Sequence, residues 1–199
     1  MPKGIPLTEE EQQRRRKEIF DATVHLFLDK SFKETSMREI AETAGVGKST
    51  LYDYFKSKDE ILVSYFEDVI SELTENAKAI AVQDLGITEK LHKIMEMHLA
   101  YLVDSKTFYL KLSLEVQTLS LGSQKKIQDR RYAYQDIFRD IIQEGIDTGI
   151  YRPVNPLFAA RSIFQLLSLA VFTSRPDAIG EPKEMMDEAM SIFFDGIKA

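Results

Sequence analysis

The sequence predicts an all-α chain, and three observations carry that prediction. Apolar residues recur at spacings of three and four through most segments between Ile19 and Ile197. Helix-capping side chains stand where those segments begin: Thr8 with Glu11, Ser36 with Glu39, Ser57 with Glu60, and Asn155 before Pro156. No segment alternates apolar and polar residues as a half-buried strand would. Nor does any internal repeat or low-complexity stretch interrupt the pattern.

The first helix starts at the Thr8–Glu11 capping box, with Glu9, Glu10 and Glu11 at the positive end of its dipole. Its apolar stripe is Ile19, Ala22, Leu26 and Phe27. Arg14, Arg15, Arg16 and Lys17 lie just before the stripe. They read either as a solvated face paired with nearby glutamates or as an arm reaching phosphate or a minor groove. A second helix starts at Ser36, carries Met37, Ile40, Ala41 and Ala44 on one face, and closes at Gly45, which suits a left-handed cap. The chain restarts through Val46 and Gly47, and Leu51 and Phe55 give the third helix its apolar side.

From there the chain reads as helix after helix. A long helix runs from Asp59 to about Val82 and breaks at Asp84-Leu85-Gly86. Thr88 opens the next, through Leu91, Met95 and Leu102 to Asp104. Phe108 to Leu119 forms a shorter helix closed by Gly122, and Ser123 starts one that carries Ile127, Tyr134, Ile137, Phe138 and Ile141 to Gly149. Asn155 and Pro156 open a helix ending near Thr173, with Arg175-Pro176 as the stop, and Pro182 opens the last, to about Lys198.

The segment Gly47–Tyr54 is chemically distinct. It carries Lys48, Ser49, Thr50, Tyr52 and Tyr54, with Asp53 its only acid. Small hydroxyl residues at a helix start can enter a major groove, and Lys48 and the tyrosine hydroxyls can reach phosphates. These residues, the glycine turn before them and the flanking capping boxes imply duplex DNA as a partner.

Residues 16–62 resemble the DNA-binding domain of TetR-family transcriptional regulators. The resemblance rests on Ile19 to Phe27, Phe32, Thr35-Ser36-Met37, Ile40-Ala41, Ala44-Gly45-Val46, Thr50-Leu51-Tyr52, Tyr54-Phe55, and Ser57-Lys58 leading to Leu62. It implies an N-terminal three-helix domain with a helix-turn-helix over 1–58 and a helical effector-binding and dimerisation bundle over 59–199. By the resemblance, Ser36, Lys48, Tyr52, Tyr54 and Lys58 fall where the family contacts phosphate or groove. Gly47, Ser49 and Thr50 fall on the base-facing start of the recognition helix, with Met37 and Arg38 on the helix before it. Position 47 is often serine in the family; Gly47 removes a side-chain cap and leaves backbone N–H groups approachable.

Composition bounds the reading. The chain has 199 residues, no cysteine and a formal charge of −6. The charge is uneven: residues 1–58 hold 11 basic against 10 acidic residues, and 59–199 hold 15 against 22. The acidic excess therefore lies away from the DNA-reading block. No apolar run reaches the roughly 18 residues a membrane span requires, and the N-terminus lacks a secretory apolar core. A cytoplasmic protein in a reducing compartment is expected.

The last two helices are apolar around most of their circumference. Phe164, Leu167 and Val171 on one, and Met186, Met190, Phe193 and Ile197 on the other, lie on stripes expected to form a homodimer interface. A two-fold dimer would present two recognition helices to a pseudo-palindromic operator. The resemblance places small effectors among the middle helices. There Phe66, Tyr101, Phe108, Leu112, Tyr134 and Phe138 offer an apolar or aromatic lining, with His98, Glu115, Gln117 and Gln165 as polar groups.

Other chemistries find little support. His92 and Glu96 lie one turn apart, but His98 is on another face, so no metal is expected. GVGKST at 45–50 follows a helix rather than a strand and lacks the earlier P-loop glycine. No acid–base pair, nucleophile arrangement or cofactor motif is present, and no enzyme activity is expected. The expected function is a ligand-responsive dimeric regulator, most simply a repressor; the alternative is a helical interaction module without ligand response.

Overall fold

The computed structural model describes residues 8–172 and 182–199, and among these the chain forms nine helices. They are α1 (Glu9–Asp29), α2 (Met37–Thr43), α3 (Lys48–Tyr54), α4 (Lys58–Ala81), α5 (Ile87–Asp104), α6 (Lys106–Val116), α7 (Leu121–Asp147), α8 (Pro156–Phe172) and α9 (Pro182–Ile197). The only extended pairing among the described residues is a single bridge between Tyr151 and Lys198. The stop expected at Arg175-Pro176 lies outside the described residues, as do the side chains of Phe108 and Val171.

The expected caps form with one change. Thr8 and Ser36 each make the reciprocal box with the glutamate three residues on. At α4, Ser57 Oγ accepts from the Glu60 N–H at 3.2 Å, but the Glu60 carboxylate accepts from the Lys56 N–H instead of closing the box. Gly45 and Gly149 take left-handed backbones at φ 63° and 74°, ending α2 and α7 as the sequence predicts. Gly122 does not close α6. It sits in the first turn of α7, because Ser120 supplies the start: its Oγ accepts from the Ser123 N–H.

The helices group into two compact units. One comprises the described residues up to Phe66 together with Lys111–Lys126; the other comprises the described residues of Glu67–Leu110 and Ile127–Ala199. The division expected at 58/59 follows chain order, whereas packing carries the first unit through the opening turns of α4 and adds the end of α6.

In the first unit α1 packs on α2 and α2 on α3. Its core is Ile19, Val24, Phe27, Ile40, Ala41, Leu51, Phe55, Ile61 and Leu62, all buried. Burying such side chains stabilises by roughly 1.5–3 kcal/mol each. Arg16 fastens α1: its guanidinium lies 4.6 Å from the Phe55 ring centroid and donates to Ser64 Oγ at 3.0 Å. In the second unit α8 packs on α9 and α5, and α5 also meets α9. Its core includes Leu91, Ile94, Met95, Leu102, Ile142, Ala160, Ile163 and Leu167.

Candidate functional site

The first unit presents the short helix α3 with its apolar side inward. Leu51 is fully buried, and Lys48, Ser49 and Asp53 are exposed, with Tyr52 37% exposed. Thr50 and Tyr54 are half-buried. Lys48 Nζ lies 6.0 Å from the Tyr52 ring centroid, one turn away, so the cation and the aromatic share one outer edge. Gly47 is the N-cap and makes no side-chain cap hydrogen bond, which leaves no side chain over the start of α3.

The α2 candidates are more committed than the sequence suggests. Ser36 Oγ donates to Glu39 Oε2 at 2.9 Å and accepts from the Glu39 N–H at 3.2 Å. Glu39 also binds Lys30 Nζ at 2.6 Å; that ammonium first, then the Ser36 amide and hydroxyl, holds its carboxyl down at about 2. Arg38 is exposed and paired with Glu42 at 2.8 Å, and Met37 is half-buried. Lys30 and Glu39 are nine residues apart and joined only through the turn, so no local spacing signals that bond.

Lys58 is held against the turn between α1 and α2. Its Nζ donates to the Phe32 carbonyl at 2.6 Å and lies 4.7 Å from the Phe32 ring centroid. Of the basic run on α1, only Arg16 is turned to the protein, gripping Phe55 and Ser64; Arg14 and Arg15 pair with Glu18 on the helix surface, and Lys17 is exposed.

The residues nominated for an effector fall in both units. Phe66, Leu112 and Glu115 belong to the first, Phe66 and Leu112 buried and Glu115 accepting from the Phe32 N–H at 3.3 Å. His98, Tyr101, Tyr134 and Phe138 belong to the second and come together. The Tyr134 hydroxyl is 3.3 Å from His98 Nδ1, and Phe164 sets its ring 5.1 Å from His98 and 4.9 Å from Phe138. Tyr101 lies 6.4 Å from His98. Burial holds the imidazole down to about 4 and pushes the Tyr134 phenol up, so both are neutral near pH 7. The result is an aromatic core on α5, α7 and α8 with one neutral polar pair at its centre.

The stripes nominated for the dimer are largely covered within their own chain. Leu167, Met186, Met190, Phe193 and Ile197 are all buried within their own chain, and Phe164 belongs to the aromatic core around His98. Among the described side chains of α8 and α9, the large apolar groups most open to solvent are Phe158 (73% exposed), Leu169 and Ile192. Leu169 and Ile192 flank a shallow groove with Leu166, Met185 and Ala189, rimmed by Glu184 and Glu188.

With this geometry in place, residues 19–65 match the profile described as bacterial regulatory proteins, tetR family, and residues 84–197 match the tetracyclin repressor-like C-terminal domain. The chain belongs to the TetR family. As a member it is a DNA-binding transcriptional regulator. Among curated relatives, the fatty acid metabolism regulator protein of Bacillus subtilis is 28% identical over 165 residues, covering 81% of this chain and 85% of that one. The transcriptional repressor KstR2 of Mycolicibacterium smegmatis is 26% identical over 149 residues, covering 74% and 73%. Among solved structures, FadR of Bacillus subtilis in complex with stearoyl-CoA superposes with a TM-score of 0.78 at 25% identity, covering 91% and 98%. No described helix is long and apolar enough to cross a membrane.

Proposed function

We propose that this TetR-family chain is a cytoplasmic homodimeric repressor that leaves its operator when a long-chain acyl thioester occupies the second unit. The observation that carries the reading is the buried aromatic core of α5, α7 and α8. Tyr101, Phe138 and Phe164, packed around the neutral His98–Tyr134 pair, offer groups suited to an apolar chain with one polar group near its head once it displaces part of that packing. Similarity to a fatty acid metabolism regulator and to a structure holding stearoyl-CoA supports the chemical class. Residues up to Lys58 serve DNA reading, with Lys48, Ser49, Thr50 and Tyr52 towards the groove; 59–199 serve effector binding and dimerisation.

The effector lowers DNA affinity only by binding the released form better than the bound form. The chain passes between the two units within α4, α6 and α7, so these helices carry the change. The second copy covers the face marked by Phe158, Leu169 and Ile192. The test is operator selection from random DNA, followed by titration of stearoyl-CoA, free coenzyme A and stearate into the complex. Stearoyl-CoA is expected to weaken binding at least tenfold while free coenzyme A does nothing. Equal affinity with all three removes the acyl thioester from the reading.

A further inference from the structure

The turn between α1 and α2 is gripped through both backbone groups of one residue, Phe32. Its N–H donates to the Glu115 carboxylate on α6 at 3.3 Å. Its carbonyl accepts from the Lys58 ammonium at the start of α4 at 2.6 Å, and the Lys33 carbonyl lies 3.4 Å from the same nitrogen. An anion thus meets the donor end of the peptide and a cation the acceptor end, and charge-assisted bonds of this kind are roughly twice as strong as neutral ones. The ring is held too: Phe32 is buried, tilted against Phe27 at 5.1 Å, with the Lys58 ammonium over its face. A second carboxylate–amide bond, Asp59 Oδ2 to the Ser120 N–H at 3.0 Å, ties the corner after α6 to the first turn of α4. All of these residues lie in the first unit.

For Lys58 to reach a phosphate, its ammonium would have to leave a carbonyl and an aromatic face and strand the Phe32 carbonyl. Removing one partner of such a bond costs more than the bond contributes. We propose that Lys58 and Glu115 form a positioning clasp on the α1–α2 turn. Lys58 sets how α2 and α3 meet DNA without contacting a phosphate, and Glu115 makes the last turn of α6 a determinant of operator affinity.

The proposal rests on the DNA-binding reading, so its test has one arm with DNA and one without. Operator binding is measured against salt for the wild type, Lys58→Met, Glu115→Ala and Glu115→Gln, on a duplex selected by the wild-type protein. Lys58→Met is expected to weaken binding about tenfold with the salt slope unchanged, because each phosphate contact contributes about 0.9 to that slope. Two lost phosphate contacts in a dimer would instead make it shallower by about 1.8 and overturn the proposal. Glu115→Ala is expected to weaken binding roughly fivefold and Glu115→Gln to restore it, since its amide oxygen still accepts.

In the DNA-free arm, amide exchange at Phe32 is expected to rise at least tenfold in Glu115→Ala and to stay near wild type in Glu115→Gln. Unchanged exchange and affinity in Glu115→Ala would remove Glu115 from the clasp. If the wild type binds no selected duplex, the DNA reading fails while the exchange at Phe32 still decides the clasp.

Discussion

His98 and Gly145 each let a single side chain, present or absent, govern a stretch of the second unit. His98 is buried and held down to about 4 from an ordinary value of 6.5. Between those values the unfolded chain takes up a proton that the folded chain refuses. Stability is therefore full above pH 6.5 and falls as pH drops towards 4, by roughly 3 kcal/mol in all. Melting temperature followed from pH 7 to 5 is expected to decline in the wild type, and His98→Leu is expected to flatten that decline. At Gly145 a Cβ would collide with one edge of the Tyr151 ring, which is itself 2% exposed and bonded through its hydroxyl to Thr88. Gly145→Ala is expected to destabilise the fold by about 1–3 kcal/mol in chemical denaturation, the range of an overpacked core. A stability within a few tenths of the wild type would mean that the ring moves aside freely.

Among the elements, α3 is the clearest case of a helix whose two sides do different work. Leu51 anchors it, and Lys48 and Tyr52 share its outer edge. The two outer residues differ in charge, and salt dependence separates them. Lys48→Ala is expected to weaken operator binding and to make the salt slope shallower by about 1.8 for two lysines per dimer. Tyr52→Ala is expected to weaken binding with the slope unchanged. A Lys48→Ala slope equal to wild type would place its ammonium away from phosphate. The helix α2 is fixed beneath this surface by the Ser36–Glu39 box and the Lys30–Glu39 pair.

At the level of the whole molecule, the formal charge of −6 is compatible with DNA reading because residues 1–58 do not share the acidic excess. On the proposed reading one chain presents one α3, a pseudo-palindromic site needs a second copy, and the exposed apolar groups on α8 and α9 are where that copy is expected to dock. Phe158→Glu or Leu169→Glu is expected to give a monomer in sedimentation at micromolar concentration, with the helical circular dichroism retained. The same change at Leu167, which is fully buried, is expected to unfold the chain instead. A dimer that survives both Phe158→Glu and Leu169→Glu would move the interface elsewhere.

The sequence by itself determined the helices, the short α3 among them. Capping boxes, left-handed glycines and apolar spacing are local: they act within one or two turns, so Ser36, Gly45, Leu51 and Asn155 can be read without knowing the fold. Only the tertiary structure decided which face of α8 and α9 remains uncovered, since both helices are apolar nearly all round and periodicity cannot tell a core contact from an interface. It also decided the partners of Lys58, Glu115 and Glu39, whose bonds reach across 26, 83 and 9 residues. A charge on a helix face is legible as a charge; what it meets is fixed by how distant turns pack. The same separation hid the His98–Tyr134 pair, brought within 3.3 Å by helices whose residues lie 36 positions apart.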